Sequence, residues 1–229
     1  MTNLQWRKEE APIGMPLHIN HSGIFPEVGL DEAGMSCLAG PVYTAAVILP
    51  LGFTHNLIRD SKQLSPEQRN EARQIIIENA VAYAVASADV SLIDEINIYH
   101  ARFRAMHDAL SQLETKPKFI IVDGNRFPKY KTIPHACSIK GDTKYLSIAA
   151  ASILAKTSRD AFMLKLHEQH PQYLWNSNKG YPTKAHRAAI AEHGPCDWHR
   201  KSFTLLRETT DDFATDDTRR TIKSFADVG

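Results

Sequence analysis

Apolar and polar positions alternate at two different periods along the chain, and the change of period outlines its elements. Val28-Gly29-Leu30 leads into Asp31-Glu32-Ala33-Gly34, which predicts a first strand ending in a turn. Val42 to Leu49 is apolar and rich in β-favouring residues, as expected of an antiparallel return strand. Pro50, Gly52 and the polar Asp60-Ser61-Lys62 stretch mark loops. Ser65-Pro66-Glu67-Gln68 is a helix start: serine caps, proline suits the first turn, and Gln68 stands where a capping box needs it. That helix is expected to run to about Ala80. Val81 to Val90 reads as a strand, and Ser91 to Leu113 as largely helical until Pro117. Phe119-Ile120-Ile121-Val122 is a short buried strand ahead of Asp123-Gly124, and Ala136 to Ile139 another strand candidate. From Thr143 to His170 the pattern is helical, with Ala149, Ala150, Ala151 and Ala155 allowing close packing. Gly180-Tyr181-Pro182 breaks the chain, Thr183 can cap a further helix, and Gly194-Pro195 stops it.

A meander of strands followed by strands alternating with helices predicts an α/β domain: a mixed sheet with helices on its faces and a helical C-terminal part. The poorly patterned residues 1–22 are an extension, residues 23–208 one domain, and residues 209–229 a tail. No internal repeat or low-complexity linker divides the chain.

Composition changes little in this picture. The 229 residues are 43% hydrophobic and 23% charged, ordinary for a globular protein large enough to need no disulfide staple. Cys37, Cys137 and Cys196 are far apart and odd in number, which favours reduced thiols over a disulfide framework or a zinc site. The N-terminal stretch has no apolar core followed by a cleavage site, and no apolar run approaches membrane-spanning length. The expectation is a cytoplasmic monomer with no membrane partner. A net charge of +1 argues against nucleic-acid binding by bulk charge but leaves room for a local basic face. Lys129, Lys131, Lys140 and Lys144 form one basic cluster, and His199, Arg200 and Lys201 another; solvated surface is the competing reading of both. No pair among the eleven histidines has persuasive ligand spacing, so packing or surface is their default.

The chemistry lies in the acidic residues. Asp31-Glu32, Asp123 and Asp142 each stand where an apolar, strand-like segment gives way to glycine or a loop. In α/β sheets, sites gather at strand ends, where loops project side chains over a rigid base. Carboxylates crowded together repel and favour a cation, and magnesium and manganese prefer hard oxygen ligands. Carboxylates at separate strand ends therefore suit a two-metal phosphodiesterase. Spacing alone leaves another reading open: an aspartate after a strand binds turn amides, and Asp142 is placed to cap the helix beginning at Thr143.

Seven segments, in order, resemble the ribonuclease HII family, the type 2 ribonucleases H. They are Asp31-Glu32-Ala33-Gly34 with Leu38-Ala39-Gly40-Pro41-Val42, then Asp60-Ser61-Lys62-Gln63-Leu64-Ser65, Val122-Asp123-Gly124-Asn125 and Lys140-Gly141-Asp142. Ser147 to Lys156 with Arg159-Asp160, Lys179-Gly180-Tyr181-Pro182-Thr183-Lys184, and His199-Arg200-Lys201-Ser202-Phe203 complete the set. The resemblance runs from about residue 25 to 207. It implies a ribonuclease H-like fold with a five-stranded mixed sheet, and a catalytic, metal-binding set of Asp31, Glu32, Asp123 and Asp142. It implies Mn2+ or Mg2+ in a two-metal site, hydrolysis of the RNA strand of RNA–DNA hybrids, and incision 5′ to single ribonucleotides in duplex DNA. Products would end in 5′-phosphate and 3′-hydroxyl, and the role would be ribonucleotide excision repair.

The same resemblance assigns Tyr181 to stacking on the sugar at the ribonucleotide–deoxyribonucleotide junction, against the plainer reading of a core aromatic held by Pro182. Ser61 and Lys62 become candidates for a DNA-strand phosphate, against an ordinary solvated loop. Asp160 is not a further ligand: about 1.5 Å per helical residue puts it roughly 25 Å from Asp142, so a neighbouring base is its expected partner.

One segment departs from the family. Its usual Gly-Arg-Gly or Gly-Lys-Gly loop, which reads the ribose 2′-hydroxyl largely through main-chain groups, is Gly34-Met35-Ser36 here. Methionine removes a cation, and serine adds a β-carbon where glycine permits unusual backbone angles. The expectation is reduced affinity or altered substrate preference with the metal chemistry intact. A hybrid-binding protein weakened in catalysis is the alternative, opposed by retention of all four carboxylates. A DNA-specific nuclease of the same fold is a third reading, and would have no need of Tyr181.

Overall fold

The computed structural model describes residues 17–206; most of the N-terminal extension and the tail fall outside them. Five strands form one sheet: β1 (Glu27–Ala33), β2 (Val42–Ile48), β3 (Ala82–Ala88), β4 (Phe119–Asp123) and β5 (His135–Ser138), in the order β3-β2-β1-β4-β5. β1 to β3 form an antiparallel meander, while β4 pairs parallel with β1 and β5 parallel with β4. The helices are α1 (Pro66–Asn79), α2 (Val90–Gln112), α3 (Leu146–Gln169), the short α4 (Trp175–Asn178) and α5 (Lys184–His193). The mixed sheet flanked by helices, and the helical C-terminal part, are the architecture expected from the sequence.

Local chemistry explains the boundaries. The Ser65 side chain accepts from the Gln68 amide while the Gln68 side chain accepts from the Ser65 amide, closing the capping box of α1. Thr183 caps α5 by accepting from the His186 amide. Asn97, at φ 64°, interrupts the helical dihedrals of α2. Asp142 does not cap α3. It lies in a 3-10 turn (Gly141–Thr143), and the N-cap position of α3 falls to Tyr145.

Alternation along the strands divides the core in two. Val28 and Leu30 of β1 and Ile120 and Val122 of β4 face α2, packing with Met106 and Leu110. On the opposite face, Ala45 and Val47 of β2 meet Ala149, Ala150, Ile153 and Leu154 of α3 and Ile76 of α1. α3 lies so close to β1 that a β-carbon at Gly29 would collide with the main chain of Ser147. A third cluster joins Leu38 and Ala39 to Met163, Tyr173, Trp175 and Ile190, fastening the C-terminal helices to the segment after β1. Leu17 and His18 also touch the domain: the His18 amide donates to Lys144 O (2.8 Å), and its carbonyl accepts from the Leu146 amide (2.9 Å). Among the described residues, no helix is long and apolar enough to cross a membrane.

Candidate active site

The parallel strands β1, β4 and β5 bring three of the acidic segments to one sheet edge. Leu30 pairs with Val122, and Val122 with Cys137, so Asp31 and Asp123 follow on neighbouring strands and the turn carrying Asp142 comes shortly after β5. Alternation sends the two adjacent carboxylates to opposite faces. Asp31, in step with Gly29, faces α3; Glu32, in step with Leu30, faces α2. Asp31 is only 5% exposed, as is Asp142.

Each carboxylate has its own partner. The Glu32 amide donates to Asp31 Oδ1 at 2.7 Å. Arg102 of α2 donates from Nη1 to Glu32 Oε1 at 3.1 Å, with its guanidinium over Tyr99 and Phe103. The Gly141 amide donates to Asp123 Oδ1 at 2.6 Å, and Lys62 Nζ to Asp142 Oδ2 at 3.1 Å. Burial pushes Asp31 well above the ordinary carboxylate range, and the charges of Glu32 and Asp123 push the same way. Burial raises Glu32 against the pull of Arg102, and raises Asp123 against the Gly141 amide.

These groups feel one another's charge without forming a finished cage: among the described residues, no three acidic, imidazole or thiol groups converge as a ready metal-binding group. Two of the four carboxylates lean instead on cations of the chain itself, Arg102 and Lys62. A divalent ion nevertheless fits what is present. The donors are hard oxygens, their mutual repulsion disfavours ionisation of Asp31, and Glu32 Oε2 is buried without a hydrogen-bond partner.

Of the remaining predicted residues, Ser61 is turned inward, its hydroxyl 3.1 Å from that of Ser152, rather than standing on a solvated loop. Lys62 has 78% of its side chain exposed even while it pairs with Asp142. Asp160 takes the Lys156 ammonium at 2.7 Å, the neighbouring base expected for it. Tyr181 is 37% exposed, between core and solvent, with Lys156 Nζ 5.6 Å and Arg159 Cζ 5.8 Å from its ring centre. In the Gly34-Met35-Ser36 segment, Gly34 has φ +100° and lies against Arg159, where a β-carbon would collide. Ser36 is exposed and outside the positive-φ region, so its β-carbon costs no backbone strain. Met35 packs beside the cluster of Val42, Ile93 and Ala101.

The roles of three arginines are not legible in the sequence, although Arg159 and Arg200 stand in the family's segments. Arg102 has no motif around it, and only the packing of α2 discloses its role. Arg159 donates to the carbonyls of Ala39, Pro41 and Lys179 at 2.8–3.1 Å. Arg200 donates to those of Gly34 (2.7 Å), Met35 (3.0 Å) and Gly40 (2.9 Å). His199 and Arg200 are thus no part of a basic surface: both are fully buried, because the loop carbonyls around Arg200 take the place of water. Burial brings Arg200 down to about 10, which leaves it charged at neutral pH.

A family model described as Ribonuclease HII matches residues 28–206. A ribonuclease HII of Bacteroides thetaiotaomicron is 59% identical over 180 residues, covering 79% of this chain and 90% of that protein. One from Phocaeicola vulgatus is 58% identical with the same coverage. Among solved structures, the ribonuclease H2 from Pyrococcus horikoshii OT3 superposes with a TM-score of 0.67 at 26% identity, covering 79% of this chain and 95% of that one. The sheet and helices described above are those of a ribonuclease H-like fold.

Proposed function

The chain belongs to the ribonuclease HII family, an endoribonuclease family, and from that premise we propose that it hydrolyses the RNA strand of RNA–DNA hybrids and incises 5′ to single ribonucleotides embedded in duplex DNA. Products would carry 5′-phosphate and 3′-hydroxyl ends, and the physiological task would be ribonucleotide excision by a cytoplasmic monomer. The observation that carries the proposal is the gathering of Asp31, Glu32, Asp123 and the Asp142 turn at one sheet edge, with a buried carboxylate oxygen of Glu32 left unpartnered.

Asp31, Glu32, Asp123 and Asp142 would hold Mn2+ or Mg2+. When bound as a pair, such ions lower the pKa of water, neutralise the phosphate and stabilise the departing 3′ oxygen. The protein's own contribution is positional. Arg102 fixes one oxygen of Glu32 and leaves the other free. The Gly141 amide fixes Asp123, and the Glu32 amide fixes Asp31. Lys62, on an exposed and flexible stem, neutralises Asp142 here and is suited to meet a backbone phosphate of the duplex. Ser61 supports the site from within, through Ser152, rather than by a phosphate contact of its own hydroxyl. The carbonyls and amides of Gly34, Met35 and Ser36 would read the ribose 2′-hydroxyl, and Tyr181 would stack on the sugar that follows.

The test is cleavage of an end-labelled DNA duplex carrying one ribonucleotide, with Mn2+ or Mg2+, beside a long hybrid and an all-DNA control. We expect incision 5′ to the ribonucleotide, and a loss of at least about a hundredfold in Asp31→Asn. Cleavage of the long hybrid alone would remove junction recognition from the proposal. Binding without cleavage of either substrate would replace the enzyme with a hybrid-binding protein.

A further inference from the structure

Tyr181 is held from behind by a buried imidazole pair. The loop turns through Lys179 (φ 48°) and Gly180 (φ 83°), and the Tyr181 amide donates to Asn178 O at 2.9 Å. Its carbonyl accepts twice, from the Thr183 amide at 2.8 Å and from His186 Nδ1 at 2.9 Å. His186 is fully buried, and its Nε2 lies 3.0 Å from Trp175 Nε1 and 3.2 Å from His199 Nε2.

Hydrogen-bond chemistry fixes the protons. An indole N–H only donates, so His186 Nε2 must be a bare acceptor, and the proton of the neutral ring is on Nδ1, pointing at the Tyr181 carbonyl. His199 Nδ1 accepts from the Cys196 amide at 3.0 Å, so the His199 proton is on Nε2 and is given to His186. The N–H groups of Trp175 and His199 then share the single lone pair of His186 Nε2, and protonating either ring would place hydrogen against hydrogen. Trp175 and His199 thus hold His186 in the tautomer that donates to Tyr181.

We propose that His186 is a positioning residue, which through its Nδ1–H fixes the main chain at Tyr181 and so the approach of the tyrosine ring to the junction sugar. The inference rests on the stacking role proposed above for Tyr181. A purely structural imidazole would influence folding stability but not junction recognition in particular.

Two isosteric variants separate these roles. Asparagine places an N–H near Nδ1, keeping the tether while losing the acceptor for Trp175; glutamine places its carbonyl near Nε2, keeping that acceptor while losing the tether. In the full chain, His186→Gln is expected to raise KM for the single-ribonucleotide duplex about tenfold with kcat nearly unchanged, whereas His186→Asn stays near wild type in KM whatever its melting temperature. Added to Tyr181→Ala, His186→Gln changes nothing further. Equal KM effects from the two isosteres, or an undiminished glutamine effect in the Tyr181→Ala background, overturns the tether while leaving the stacking role standing. Wild-type KM in Tyr181→Ala alone overturns the stacking role, and the tether with it. The native protein gives an independent readout by nitrogen NMR of its imidazoles: His186 should be the Nδ1–H tautomer and His199 the Nε2–H tautomer. An Nε2–H signature for His186 overturns the inference even if neither variant folds.

Discussion

The surroundings of Met35 and Ser36 decide what their departure from the family pattern costs. Ser36 is exposed with an ordinary backbone angle, so glycine is not needed there for conformational freedom. Arg200 donates to the carbonyls of Gly34 and Met35, which fixes the path of the loop's main chain without a basic side chain in the loop. What is lost is the cation itself. Met35→Arg with Ser36→Gly restores the family loop and is expected to lower the KM for a single-ribonucleotide duplex severalfold at unchanged kcat, with a steeper salt dependence from the added phosphate contact. The salt slope is the cleaner measurement. If KM, ribose preference and slope all stay put, the loop change has no bearing on substrate recognition.

Among the elements, the contact between β1 and α3 sets the site. Asp31 and Glu32 sit on β1, and α3 supplies Ser152 behind Ser61 and follows directly on the Asp142 turn. Gly29 permits the helix to lie against the strand with no side chain between them. Gly29→Ala must push the two apart, and overpacking of this kind costs about 2 kcal/mol, or about 6 °C in melting temperature for a domain of this size. Calorimetry of the variant tests this; an unchanged melting temperature would mean that the contact has slack. Sequence patterning locates both elements but not their contact. Capping at Ser65 and Thr183 was readable because it is settled within one turn of helix. The partnership of Arg102 with Glu32 joins residues 70 positions apart and leaves no local trace.

For the molecule as a whole, acid should act through the C-terminal cluster. Burial, then the neighbouring His186 and His170, lowers His199 to about 4, and burial also lowers His186. Cys196 and Tyr173 complete the lining around His199, with Arg187 beside His186. In the unfolded chain these imidazoles take protons near pH 6.5, well before they do so in the folded one. Their contribution is therefore fully present above about pH 6.5 and is lost as pH falls toward 4. For His199 alone the loss is on the order of 2 kcal/mol by about pH 5. Urea unfolding at pH 7.5 and 5 should show wild type losing stability on acidification, and His199→Gln losing distinctly less. Parallel slopes would assign the acid sensitivity elsewhere.

The sequence by itself determined the order of elements, the α/β class and the caps at Ser65 and Thr183, and it singled out the four carboxylates as candidates, because each is written in a local pattern or a contiguous motif. Adjacent strand residues such as Asp31 and Glu32 must point to opposite faces, but only the tertiary structure decided that α3 covers the Asp31 side and that α2 brings Arg102 to Glu32. It also decided that His199 and Arg200, which read like surface charge, are core. A buried polar side chain is tolerated only when distant parts of the chain supply its hydrogen bonds. Those partners, the carbonyls of Gly34, Met35 and Gly40 for Arg200 and the imidazole of His186 for His199, come together only through the folding of the whole domain.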